Sequence, residues 1–174
     1  MMNRVLSREL ADHVGEEVTL AGWVHRIREL GAVSFVLVRD RSGLGQVVYQ
    51  GKADVGAESV VAVTGTVQAN EKAPGGYELH AATTEVIGPA AADLPISVNG
   101  DPESLGIEAL LDHRILSLRM PKVRSIFRVQ ATIVDAFADY LRSNDFTEIK
   151  SSKLIGSGTE GGTGLFTVDY FGDR

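Results

Sequence analysis

The sequence has no cysteine among its 174 residues, so disulfides and thiolate metal sites are excluded. Its four histidines, His13, His25, His80 and His113, are too scattered for metal-ligand spacing, and no metal site is expected. Aromatic residues make up 6% of the chain and include a single tryptophan, Trp23. No apolar run reaches the roughly 20 residues of a membrane span. The polar start MMNRVLSREL has no signal-peptide core. A cytoplasmic protein with no membrane partner is therefore expected.

Net positive charge is also lacking. A formal charge of −6 argues against nonspecific binding to polyanions, and DNA is not an expected partner. The charge is nonetheless uneven. Between Gly22 and Lys52 stand Arg26, Arg28, Arg39, Arg41 and Lys52 against only Glu29 and Asp40. From Ala53 to Glu108 the sole cation is Lys72, opposed by nine carboxylates. A basic face on an acidic chain suits a polyanion gripped at one place. Arginines that merely solvate strand edges would look the same, and both readings stand at this point.

The chain is long enough for one domain and a piece of another. Ser7 to His13 predicts a short helix, which Ser7 can cap and Gly15 can end. Valine-rich runs at Val18–Ile27, Val33–Arg39, Gln46–Tyr49, Ser59–Val67 and Tyr77–Val86 predict five strands. Gly31 marks the first turn, Ser42-Gly43 the second, and Ala53–Glu58 is a short insert. Five strands with an insert between the third and fourth have the layout of an OB-fold barrel, although any five-stranded Greek-key barrel shares that count. Gly88 to Gly106, with three prolines and no sustained period, reads as a hinge. Beyond it Pro121 suits a first helical turn. Val123, Ile126, Phe127, Val134, Phe137 and Leu141 then recur at helical spacing. That helix should end near Ser143-Asn144, with Phe146–Lys150 following as a strand. The division expected is 1–88 barrel, 89–106 hinge, and 107–174 the start of an α/β layer.

An OB barrel reads unpaired nucleotides by stacking bases on aromatics while basic residues follow the phosphates. Phe35 and Tyr49 lie in the second and third strands, and Arg28 ends the first. Gln46 can donate to and accept from a base edge, and Glu78 can accept. A strand aromatic is more often core than platform, so Phe35 alone decides little. Trp23 reads as packing and His25 as an ordinary surface histidine.

Taken together, these segments resemble a known family. GWVHRIRELG and SFVLVRDRSGLGQVV resemble the anticodon-binding domain of class IIb aminoacyl-tRNA synthetases. LDHRILSLRMP, 111–121, looks like the segment that follows their hinge. FRVQATIVDAFADYLRSNDFTEI, 127–149, resembles their motif 1, a long helix and strand at the dimer interface. SGTEGGTGLFTVDYF, 157–171, is close to the glycine-rich loop of archaeal-type aspartyl-tRNA synthetases. The resemblance covers essentially the whole chain.

The resemblance implies an OB-fold barrel, a hinge and the start of a class II catalytic domain built on an antiparallel sheet. It implies that Phe35 stacks on the middle anticodon base, with Arg28, Gln46 and Glu78 on anticodon base edges. Glu160 would close over the substrate aspartate and meet its amino group, its loop moving on Gly158, Gly161 and Gly162. The two positions that separate strict from relaxed archaeal enzymes align with His25 and Pro74, the relaxed pair, and proline offers no side-chain donor. The implied activity is ligation of aspartate to tRNA(Asp) and also tRNA(Asn), using ATP and Mg2+, by a homodimer. A separate amidotransferase would then convert aspartyl-tRNA(Asn). The chain departs from the family at Ser152, where a proline is usual. It also ends before the aspartate-binding segment and motifs 2 and 3, so these 174 residues are expected to be inactive alone. Two other readings remain at this stage: a stand-alone single-strand-binding module, and an asparaginyl-tRNA synthetase relative.

Overall fold

The computed structural model describes residues 3–150. The chain divides into two compact units, Met1–Ile126 and Phe127–Arg174. Glu160 and Ser152 lie outside the described residues.

Six strands build the first unit: β1 (Arg4–Val5), β2 (Glu17–Leu30), β3 (Val33–Arg39), β4 (Leu44–Gln50), β5 (Val60–Ala69) and β6 (Tyr77–Gly88). Their order is β1-β2-β3-β4-β6-β5, and β2 pairs again with β5, so the sheet closes into a barrel. All neighbours are antiparallel except β1–β2 and β4–β6. The five predicted strands are present, with an extra two-residue strand at the start. The predicted helix at Ser7–His13 is a 3-10 helix.

Valine fills the barrel because a β-branched side chain suits the half-buried pleat of a strand. Val18, Leu20, Val24, Val36, Val38, Val47, Val61, Val63, Val67 and Leu79 form the core, with Leu10 of the 3-10 helix among them. Asp40 fastens this helix to the β3–β4 turn. Its Oδ2 accepts from the Ser7 N–H at 2.6 Å, and its Oδ1 accepts from Ser42 N–H at 2.7 Å and Gly43 N–H at 3.0 Å. Burial pushes the Asp40 carboxyl up, but hydrogen bonds from Ser42 and Ser7 outweigh it and leave the group below its usual value.

The residues of the expected hinge have no regular strand, yet Ile96 and Val98 are buried. Val98 packs with Met120 and Val123, and with Leu105, Leu110 and Leu116 beside them. The last two come from short helices α1 (Ile107–Asp112) and α2 (Arg114–Ser117). Helix α3 runs from Pro121 to Ser143, matching the predicted start and end. Asp145 terminates it in the left-handed conformation (φ 65°). Phe146 N–H bonds back to Leu141 O at 3.1 Å and Asp145 N–H to Arg142 O at 3.3 Å. This is the Schellman arrangement, with aspartate where glycine is usual. The strand expected at Phe146–Lys150 is absent from these residues. A strand exists only through its neighbour's hydrogen bonds, and no neighbour for this one occurs among the described residues.

Two glycines are required by close approach. A Cβ at Gly22 would lie 2.3 Å from the Arg39 carbonyl oxygen, and one at Gly65 only 2.0 Å from that of His80. Both obstacles are backbone and cannot swing aside. Gly65→Ala is therefore expected to destabilise the barrel by about 1–3 kcal/mol, read from the urea midpoint. An unchanged midpoint would contradict this packing.

Candidate nucleic-acid interface

With Val36 and Val38 facing the core, strand alternation turns Phe35, Leu37 and Arg39 to the outer surface. Register then fixes what stands beside them. One row across the barrel is Arg28, Phe35, Val48 and His80. The next is Arg26, Leu37, Gln46 and Glu78, continued by Gln68 on β5. A third pairs Trp23, Arg39 and Leu44. The fold thus brings Arg28, Phe35, Gln46 and Glu78 onto one face. Phe35 is half-buried there and Arg28 is exposed, an aromatic platform beside a guanidinium fork.

Glu78 is the hub of this face. Its Oε2 accepts from Gln46 Nε2 at 2.8 Å and Asn70 Nδ2 at 2.7 Å, and its Oε1 lies 3.0 Å from His80 Nε2. Burial raises the carboxyl, but the hydrogen bonds from Gln46, Asn70 and His80 outweigh it and hold the group below its usual value. An ionised carboxylate only accepts, so the Gln46 amide must turn its nitrogen to Glu78. Its Oε1 has no partner among the described residues and is left as an acceptor. Glu78 is itself buried and acts here by orienting its neighbours. Asn70 and His80 were not singled out from the sequence. Only pairing of β6 with β4 and β5 reveals them.

Two expectations are corrected. Tyr49 is not a platform residue: it pairs with Ser34, packs against the core and accepts from Thr84 Oγ1 at 3.0 Å. Arg39 is not a surface cation either. Its side chain is 7% exposed and bonds Glu58 Oε2 at 2.7 Å. Glu58 also accepts from Arg119 Nη1 at 3.0 Å, while its Oε1 is buried without a hydrogen-bond partner among the described residues. Two charged donors on Oε2 offset that cost. The Arg39 and Arg119 guanidiniums lie 6.0 and 5.4 Å from the Trp23 ring centroid, within cation–π reach.

His25 and Pro74 line different depressions. His25 interrupts the β2–β3 register, which slips between Val24 and Arg26. It borders a cavity of about 390 Å³ with Arg26, Asn99, Asp101 and Lys122. Pro74 is exposed and opens the turn before β6. It borders a smaller cavity of about 210 Å³ with Ser7, Ser42 and Tyr77.

A closed barrel of this order has the architecture of the OB class, and its outer face is aromatic and basic, as nucleic-acid-binding barrels of that class are. Residues 18–87 match the family described as OB-fold nucleic acid binding domain, and 106–171 match tRNA synthetases class II (D, K and N). The aspartate–tRNA(Asp/Asn) ligase of Thermus thermophilus is 45% identical over 98% of the chain, and that of Archaeoglobus fulgidus 39% over 90%. The asparaginyl-tRNA synthetase of Pyrococcus horikoshii, solved with asparaginyl-adenylate, superposes with a TM-score of 0.84 at 34% identity over 98% of the chain. The chain spans about 40% of the length of each. Over nearly its whole length the chain is similar to these aspartate–tRNA(Asp/Asn) ligases, and its two matched segments are an OB-fold nucleic acid binding domain and part of a class II (D, K and N) tRNA synthetase domain. The match at 106–171 counts against a stand-alone binding module.

Because the folded Glu78 carboxyl sits below its unfolded value, its contribution to stability is fully present above the usual glutamate range. It is lost as pH falls through the lowered value. Glu78→Gln should therefore be less stable than wild type at pH 7, the difference shrinking as pH falls below the usual glutamate range, as read from urea titrations over pH. A constant difference would show that the ionised carboxylate is not what matters.

Proposed function

We propose that this chain supplies the anticodon-reading part of an aspartate–tRNA ligase that charges both tRNA(Asp) and tRNA(Asn). The observation that carries the reading is the outer face of the barrel, where Phe35 lies in register with Arg28 and one row from the Gln46–Glu78 pair. A base stacked on Phe35 would have the Arg28 fork on one side and the free Gln46 acceptor on the other. The relatives named for tRNA(Asp/Asn) support both the substrate class and the relaxed choice.

In this reading the division is 1–88 for the anticodon domain, 89–106 for the hinge and 107–174 for the opening of the catalytic domain. His25 and Pro74 set tolerance at the third anticodon base. Glu160 meets the amino group of aspartate. The whole enzyme works in the cytoplasm as a homodimer and hands aspartyl-tRNA(Asn) to an amidotransferase. ATP and Mg2+ supply the adenylate chemistry when bound. Among the described residues no cluster of three or more His, Cys, Asp or Glu suits a metal ion.

The decisive assay is charging of tRNA(Asp) and tRNA(Asn) with aspartate, and separately with asparagine, by the full-length protein. Refusal of tRNA(Asn) would end the relaxed reading, and preference for asparagine would end the aspartate reading. Phe35→Ala should weaken tRNA binding by about 1–3 kcal/mol, the worth of one base–aromatic stack, and leave a minihelix without the anticodon unaffected. Equal loss with both RNAs would make Phe35 a structural residue. In the full-length enzyme, His25→Trp with Pro74→Lys should depress charging of tRNA(Asn) far more than of tRNA(Asp). An unchanged ratio would clear both positions of any part in anticodon choice.

A further inference from the structure

His25 is held from three sides. Its Nδ1 lies 2.7 Å from Arg39 Nη1. Its backbone carbonyl accepts from the Asn99 side-chain amide. The strand just before it is fixed at Val24, whose N–H donates to Ser59 O at 2.8 Å and whose carbonyl accepts from Glu58 N–H at 2.7 Å. Arginine has donors only. The His25 nitrogen facing it must therefore be the unprotonated one, and the ring's proton sits on Nε2.

Arg39 cannot easily turn away. Its second nitrogen is engaged by Glu58, and Glu58 is engaged in turn by Arg119 between α2 and α3. The network joins residues separated by 14, 19 and 61 positions in sequence.

We propose that the Arg39–Glu58–Arg119 chain is a positioning device that fixes His25 in its Nε2–H tautomer, so that the third anticodon base meets one invariant donor. The proposal rests on the reading of His25 as the third-base position. Cytosine and uracil differ at their N3 and C4 groups but share the O2 carbonyl. A lone N–H donor is satisfied by that shared acceptor and cannot separate the two bases. Permissiveness is then built into the scaffold behind His25 as well as into the small side chain itself. The Nδ1–H tautomer would instead turn an acceptor, Nε2, to the base and would not have this property.

Burial first, and the Arg39 guanidinium second, hold His25 below its ordinary value, with Glu58 acting against them and Arg26 with them. Asp101 and Lys122, across the cavity from His25, complete the charged groups facing it.

The test uses the 174-residue chain labelled with nitrogen-15 histidine, and anticodon stem-loops ending in cytosine or uracil. The His25 signals should be those of the Nε2–H tautomer at pH 8, well above the ordinary histidine range of about 6.5. An Nδ1–H or imidazolium pattern overturns the proposal. Arg119→Gln removes the half-buried outer end of the network and should lower affinity for both stem-loops by the same factor, on the order of threefold to tenfold. In a His25→Ala background it should have no further effect. A loss that persists there, with circular dichroism unchanged, makes the network merely structural and overturns the proposal. Glu58→Gln should act as Arg119→Gln does. If it fails to fold, Arg119→Gln and the tautomer still decide. His25→Ala with no loss for either stem-loop would instead sink the third-base reading, whatever the tautomer.

Discussion

The barrel closes because one strand serves two neighbours. Residues Glu17–Trp23 of β2 pair with β5, while Trp23–Leu30 pair with β3. A strand can turn from one partner to the next only where its backbone bends, and β2 bends at two devices. Gly22 lets the Arg39 carbonyl approach to where a Cβ would stand. The irregularity between Val24 and Arg26 breaks the β2–β3 register and increases local twist. The same irregularity brings His25 to the Arg39 side of the face. Closure of the barrel and presentation of this side chain are therefore one structural event. The loop before β5 locks it, and Glu58 accepts a positive φ of 60° to do so, a conformation unusual for a side-chain-bearing residue and of the kind concentrated at functional sites.

Charge on this surface is divided by depth. Arg26, Arg28, Arg41 and Lys52 are exposed and free to follow phosphates, where screening makes each weak and salt-sensitive. Arg39, Glu58 and Glu78 are buried and spend their charge on fixing neighbours. An acidic chain can thus grip a polyanion locally, since its buried carboxylates do not face the ligand.

Much of this was legible in the sequence. The five strands and α3 followed from period and punctuation, and Gly31 and Pro121 marked their limits. Phe35 and Arg28 were legible as residues of adjacent strands, and the β2–β3 register then sets them opposite each other. Tyr49 did not. In the run Val47–Val48–Tyr49 every residue is apolar, so alternation cannot say which face it takes until pairing with Ser34 is known. Arg39 was misread because an arginine on an outer face has the same spacing whether it meets solvent or a carboxylate. Its partner lies 19 positions away, and the arginine that shares that partner lies 61 from it. The two-residue strand β1 is too short for any period, and the residues 146–150 carry strand composition but find no partner for a ladder among the described residues.

Helix α3 carries a different kind of incompleteness. Val123, in its first turn, is buried, but Ile126, Val129, Ile133, Val134, Phe137 and Tyr140 are exposed. A surface helix normally turns such a stripe to a core, and each side chain left in water forgoes about 1.5–3 kcal/mol. Among the described residues nothing covers it. A run of apolar side chains on this scale marks an interaction surface, and a helix that recurs identically in a second copy can cover its own counterpart across a two-fold axis. That is the physical argument for the homodimer proposed above, and it is independent of the barrel, because the stripe lies on a different element from every residue of the barrel's outer face.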